Sequence, residues 1–295
     1  MKKLLILSMI MILALGTLGG CGQSEKVIEI GHKNYTEQRI LGQLFSKIIE
    51  EKTDYETNVT EFGSTSLVFE ALKSEDMDVY PEYTGTAYAA ILNQSELNDP
   101  KEVYNYVKES YKDEFGIEWL GELGFNNTYT LSVRPEIAEE YELETISDLA
   151  EVADELVIGS VMEFIEREDG LPGVKEAYGG FEFKDVITLD PGLRYNAVDE
   201  GQVDVIDAFS TDGKIVVYNL KVLEDDKQFF PPYFAAPVVS ESLYAGYPEI
   251  VEALNLLEGI ATDEEMQKLN YKVGEEGMNP ADVAEEYLRE KGLIE

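Results

Sequence analysis

Residues 71–84 read ALKSEDMDVYPEYT, and residues 197–210 read AVDEGQVDVIDAFS. Ala71-Leu72, Met77-Asp78-Val79 and Tyr83-Thr84 thus recur as Ala197-Val198, Val203-Asp204-Val205 and Phe209-Ser210, each 126 residues later. The phrase has the form of a helix end, an aspartate, and a short apolar strand. Ile30-Gly31 matches Ile158-Gly159 at an offset of 128, a length change of two residues between the copies. Such a repeat predicts two similar α/β lobes. It also places Tyr83 and Phe209 at equivalent strand ends, one on each lobe, where they can face one another across a cleft.

Around the first copy, strands alternate with helices. A strand at Val27–Gly31 precedes a helix that Asn34 can cap with Glu37 three residues on, and Ile40, Leu41, Leu44, Ile48 and Ile49 form its apolar stripe. A strand near Tyr55–Phe62 and a helix near Ser64–Ser74 follow, with Ser64-Thr65-Ser66 read as its cap. The next strand begins at Met77 and ends in Pro81-Glu82-Tyr83-Thr84-Gly85-Thr86. Alternation of this kind favours a mostly parallel sheet with helices on both faces and ligands at the carboxyl ends of the strands. Gly124–Leu131 and Phe230–Pro237 are the candidate crossovers between halves. Helices near Pro248–Gly259, Asp263–Val273 and Asp282–Lys291 are expected to pack back on the first half. The expected division is a discontinuous lobe I, residues 27–127 with 236–295, and a lobe II, residues 128–235.

The amino terminus has a different character. Met1-Lys2-Lys3 precedes an uncharged apolar run from Leu4 to Leu18 and then Gly19-Gly20-Cys21, which reads as a signal peptide over residues 1–20. The run is shorter than the roughly 18 apolar residues of a spanning helix. Leu18-Gly19-Gly20-Cys21 resembles the bacterial lipobox, in which the cysteine becomes lipidated and two acyl chains hold the product on the membrane; the bland alternative is an ordinary secretory signal. Residues 21–26 would then tether the protein to the extracytoplasmic face of the cell membrane. Cys21 is the only cysteine, so an intramolecular disulfide is impossible. Lys and Arg number 23 against 60 Asp and Glu, a formal net charge of −37. That surface repels nucleic acid and attracts cationic solutes over long range. With 44% hydrophobic residues the chain can bury a core despite its charge.

Gly31-His-Lys-Asn-Tyr-Thr-Glu-Gln38 and Asp78-Val-Tyr-Pro-Glu-Tyr-Thr-Gly-Thr86 resemble motifs of the ProX-type glycine betaine/choline-binding proteins of ABC importers. Phe164-Ile-Glu-Arg-Glu-Asp-Gly170, Asp207-Ala-Phe-Ser-Thr-Asp-Gly213 and Leu223-Glu-Asp-Asp-Lys-Gln-Phe-Phe-Pro-Pro-Tyr233 follow in that family's order and spacing. Five such phrases in order cover essentially the whole chain beyond the leader. The resemblance implies a periplasmic-binding-protein-like fold of type II, two α/β lobes closing on a ligand. It also implies a monomer that delivers quaternary-ammonium solutes to permease and ATPase subunits, with no cofactor and no metal.

The chemistry of that ligand fits the residues the family's motifs carry over. A trimethylammonium group has no N–H to donate, so it can only be surrounded. Aromatic faces attract its spread charge by about 0.5–2 kcal/mol each when desolvated. The resemblance assigns the cage to Tyr83, Tyr129, Phe209 and Tyr233, with Phe209 standing where the family's better-known members carry tyrosine. It assigns a ligand carboxylate to Lys33, Thr86 and Arg167, the last seated on closure. Asn127 and Glu163 are secondary candidates. Tyr80 and Tyr88 read as core.

Three other functions are weighed against this one. An enzyme has little support: His32 is the only histidine and reads as a turn residue, His32 with Glu37 lacks metal-ligand spacing, and neither a Gly-x-Ser-x-Gly phrase nor a Walker loop occurs. A receptor for an amino acid or other polar solute would need donors and acceptors around a primary ammonium rather than four aromatic faces. An adhesion lipoprotein would need neither the repeat nor the Lys33/Arg167 pair.

Overall fold

The computed structural model describes residues 26–166, 170–190 and 193–295; the leader and Cys21 lie outside the described residues. Strands β1 (Ile28–Lys33), β2 (Thr57–Phe62), β3 (Val79–Tyr83), β4 (Glu118–Trp119) and β10 (Ala235–Val239) form one sheet, in the order β2-β1-β3-β10-β4. Strands β5 (Tyr129–Val133), β6 (Val157–Ser160), β7 (Asp185–Thr188), β8 (Val205–Phe209) and β9 (Lys221–Val222) form the second, ordered β7-β6-β8-β5-β9. The two sheets are topological copies.

The 126-residue repeat has a physical cause. Strands β3 and β8 start and stop at repeat-equivalent residues, so Tyr83 and Phe209 are the last residue of each. The Oδ2 of Asp78 accepts the amide of Glu29 at 2.9 Å, and the Oδ2 of Asp204 accepts the amide of Val157 at 2.9 Å. Each aspartate thereby stitches the start of its strand to the neighbouring parallel strand, satisfying an amide beyond the ladder. The amides of Met77 and Val203 likewise close on the carbonyls of Ala71 and Ala197. The paired glycines are steric: a Cβ on Gly31 would lie 3.3 Å from Met77 Sδ, and one on Gly159 would lie 2.9 Å from Val203 Cγ1. Residues 77 and 203 are themselves repeat partners.

Each sheet is mixed rather than parallel throughout. Strand β1 runs parallel to β2 and β3, whereas β10 runs antiparallel to β3 and β4. Strand β6 runs parallel to β7 and β8, whereas β5 runs antiparallel to β8 and β9. The reversed strands are those that enter from the other sheet. They arrive without a βαβ crossover, which is what enforces parallel direction.

The apolar stripe Ile40, Leu41, Leu44, Ile48 and Ile49 is buried on the helix Thr36–Lys52. It packs with Leu254, Met266, Val283 and Leu288 of the C-terminal helices Pro248–Asn255, Asp263–Gly274 and Pro280–Glu290. Each such side chain contributes about 1.5–3 kcal/mol on burial, so the end of the chain is fastened to the first sheet. Tyr80 and Tyr88 sit in the core on that sheet's other side, with Trp119 and Val238. Ser64 caps the helix Thr65–Lys73 by accepting the amide of Leu67.

Two local expectations are corrected. Tyr35, not Asn34, holds the N-cap position of the helix Thr36–Lys52, and it makes no side-chain cap bond. Glu37 is consequently free of the capping box and turns toward the interior. His32 lies in β1 and is buried rather than in a turn, because the strand runs two residues past Gly31.

Candidate functional site

The two crossovers lie side by side. Asn126 bridges Phe234, the amide of Asn127 donates to the carbonyl of Tyr233 at 3.1 Å, and the amide of Tyr233 donates to Asn126 Oδ1 at 2.7 Å. Thr128 Oγ1 donates to the carbonyl of Pro231 at 2.9 Å. These bonds hold Tyr129 and Tyr233 beside the carboxyl ends of β3 and β8, which is where α/β folds collect ligands.

A cavity of about 570 Å³ opens there, a volume suited to a small molecule. Tyr83, Tyr129, Phe209 and Tyr233 all line it, as do Thr86 and Asn127. The structure therefore brings together six of the residues singled out in the sequence. Tyr35 adds a fifth ring, stacked on Tyr83 with centroids 6.5 Å apart and planes at 23°. Tyr129 and Phe209 face each other across an antiparallel pair of β5 and β8, with ring centroids 4.7 Å apart. Phe209 is 39% exposed and lines the cavity. Gly85 lets the fourth ring in: a Cβ at that position would lie 2.8 Å from the Tyr233 ring and 2.7 Å from the carbonyl oxygen of Pro232.

The polar side of the cavity differs from the expectation. Lys33 is not among the lining residues. Its ammonium is buried against Glu82 at 2.5 Å, and that carboxylate also accepts the Tyr83 amide and the Tyr80 hydroxyl. Glu82 is wholly buried in β3, and a buried carboxylate needs a partner, so Lys33 serves the sheet. Arg167 lies outside the described residues, as does the side chain of Glu163.

Glu37 takes the place at the cavity that sequence reasoning gave to a cap. Its Oε1 accepts from the Tyr83 hydroxyl at 2.7 Å and from Asn127 Nδ2 at 2.8 Å, and its Oε2 accepts from Asn270 Nδ2 at 2.9 Å. Burial pushes its carboxyl above the usual carboxylate range, while hydrogen bonds from Thr211, Tyr83, Asn270 and Asn127 oppose the shift. Burial first, and then the neighbouring Glu37, holds the Tyr83 phenol well above its ordinary value. Asn270 also donates to the carbonyl of Thr211 at 2.8 Å, so a residue packed on the first sheet grips the loop that leaves β8. Thr211, Asp212, Asn270 and Glu275 join the lining. Tyr35 and Glu37 could have been found from their place just past a strand's carboxyl end; Asn270 and Glu275 arrive through tertiary packing and carry no local signal.

The chain matches, over residues 26–290, the family model described as the substrate binding domain of the ABC-type glycine betaine transport system. It is a member of that family. This substrate-binding domain is 36% identical over 297 residues to the carnitine transport binding protein of Listeria monocytogenes, covering 99% of this chain and 96% of that one. It is 35% identical over 286 residues to the glycine-betaine-binding protein of Pseudomonas aeruginosa, with 94% and 91% covered. It is also 37% identical over 270 residues to a Helicobacter pylori ergothioneine transport permease/binding protein, covering 91% of this chain and 48% of that protein. Among solved structures, a glycine betaine/carnitine/choline ABC transporter protein superposes with a TM-score of 0.87 at 35% identity, covering 91% of this chain and all of that one. The domain is thus a transport protein of an ABC importer that acts outside the cytoplasm. No described helix is long and apolar enough to cross a membrane.

Proposed function

We propose that this domain captures quaternary-ammonium solutes in an aromatic cage formed by Tyr83, Tyr129, Phe209 and Tyr233, between lobe I (residues 27–127 with 236–295) and lobe II (128–235). The observation that carries this is the lining itself: four aromatic residues from two sheets and two crossovers surround one cavity. Rings of that number suit a cation that cannot donate hydrogen bonds. Relatives are named for carnitine, glycine betaine and ergothioneine, all of them trimethylammonium compounds, which supports the same ligand class. Thr86 and Arg167 are assigned to a ligand carboxylate, with Arg167 arriving from the second lobe. Closure then follows capture, because the ligand favours the state in which both lobes touch it. The closed monomer is what the permease reads. Residues 1–20 act as the signal, and a lipid on Cys21 holds the protein at the membrane.

Calorimetry on the purified protein with glycine betaine, proline betaine, carnitine, choline and ergothioneine tests this. Saturable heat with one or more is expected. No heat with any of them, alongside tight binding of a primary amine, overturns the cage.

A further inference from the structure

The charged groups on the described wall of this cavity are all anionic. Among the described lining residues there are three carboxylates, Glu37, Asp212 and Glu275, and neither a lysine nor an arginine. Asp212 has cationic company, since Arg194 lies 3.7 Å away. The hydrogen bonds that reach Glu37 come from neutral groups: a phenol and two amides, with the Thr211 hydroxyl beside them. Neutral donors stabilise a buried carboxylate without cancelling its charge.

The two amides supply the second observation. With Glu37 ionised, Asn127 Nδ2 faces its carboxylate, and Asn270 Nδ2 faces that carboxylate and the Thr211 carbonyl, because those partners then only accept. That orientation leaves Asn127 Oδ1 and Asn270 Oδ1 buried without a hydrogen-bond partner among the described residues. Orphaned buried acceptors are rare and costly. Here two of them flank one buried carboxylate at a ligand cavity. All three groups call for the same complement, a positive charge or a hydrogen-bond donor. The polarised methyl groups of a trimethylammonium supply the first, and a hydroxyl supplies the second. A ligand carboxylate supplies neither and is repelled by Glu37 at whichever end it lies.

We propose that Glu37, with Asn127 and Asn270 as its arms, is a specificity-determining residue of this cavity, biasing it toward quaternary amines of net positive charge with a donor group in the tail, relative to zwitterions that end in a carboxylate. This rests on the quaternary-ammonium reading above. It assigns Glu37 and Arg167 opposite effects on one ratio: Glu37 raises affinity for a hydroxylated cation, and Arg167 raises affinity for a zwitterion.

The test is the ratio of choline to glycine betaine affinity, measured by calorimetry for the unsubstituted protein and for Glu37→Gln, with folding checked by circular dichroism. Gln keeps the size of the side chain and removes the charge. The expected result is a fall of about tenfold or more in the choline-to-betaine ratio, carried mostly by choline. Equal losses for both ligands, or no change in either, overturn the proposal, since a merely structural role would not move the ratio. Should Glu37→Gln fail to fold, Asn270→Ala removes one orphaned acceptor and one arm; a smaller fall in the same ratio is expected, and an unchanged ratio overturns the proposal. If the unsubstituted protein binds neither of these two ligands, nor proline betaine, carnitine or ergothioneine, the quaternary-ammonium reading itself fails, a result distinct from both; binding of the others with no measurable choline affinity overturns the bias proposed for Glu37.

Discussion

The phenolic hydroxyl of Tyr83 donates to Oε1 of Glu37 across 2.7 Å, and the same oxygen accepts from Asn127 at 2.8 Å. One ring of the proposed cage is therefore locked to the cavity's buried carboxylate and, through Asn127, to a crossover between the sheets. The two functions of Tyr83 can be separated. Tyr83→Phe keeps the face and removes a donor from a buried acid, and is expected to cost about 1–3 kcal/mol of stability with a small loss of quaternary-amine affinity. Tyr83→Ala removes the face as well, and is expected to weaken every quaternary ligand about tenfold or more. Thermal denaturation and calorimetry on the two variants check the split; equal affinities would remove Tyr83 from the cage.

Phe209 offers the converse case. It is exposed and faces Tyr129 at 4.7 Å, so Phe209→Ala is expected to leave the melting temperature within about 2 °C while costing about 0.5–2 kcal/mol of binding. A large fall in melting temperature would mark it as packing.

Gly85 governs the fourth ring. Gly85→Ala puts a methyl 2.8 Å from Tyr233 and 2.7 Å from a backbone carbonyl, a clash that backbone cannot yield to cheaply. The expected cost is about 1–3 kcal/mol, read mainly as lost affinity because the ring is displaced from the cavity.

The strand ends were the legible part of the site. Asp78 and Asp204 stitch neighbouring strands in the same way, so the sequence had to keep the same phrase twice, and Tyr83 and Phe209 follow from it. The opposite holds for Glu37: three residues after Asn34, it satisfied a local capping rule, and only the placement of Tyr35 at the helix start shows that the rule is not used. The ion pair of Lys33 was hidden for a related reason, since its partner Glu82 lies 49 positions away and pairing across parallel strands leaves no short-range signal. Asn270 joins through a helix docked from the far end of the chain. The antiparallel halves of the sheets were invisible because strand direction is set by which sheet the chain last left.

Acid should weaken binding through Glu37. Its carboxyl titrates above the usual 4.5, and only the ionised form attracts a cation, so choline affinity is expected to fall as pH drops through that raised value. Tyr35 and Tyr83, both well above 10, stay neutral throughout. Among the described residues the Lys33–Glu82 pair, Asp212 with Arg194, and Glu275 are the other charged groups nearby, and Glu37→Gln separates them: the variant should lose most of the pH dependence. A slope unchanged in the variant would assign it elsewhere.

Arg167→Ala should act in the opposite sense to Glu37→Gln. Removal of the donor proposed for the ligand carboxylate is expected to weaken glycine betaine several-fold more than choline, as competitive titration would show. Equal loss for both would contradict its role.

The proposed cage requires that rings, not hydrogen bonds, hold the ammonium. Calorimetry across glycine betaine, dimethylglycine, sarcosine and glycine varies only the number of methyl groups on nitrogen. The cage requires affinity to fall at each demethylation and to vanish at glycine. Tightest binding by glycine, with its three N–H donors, would contradict the account.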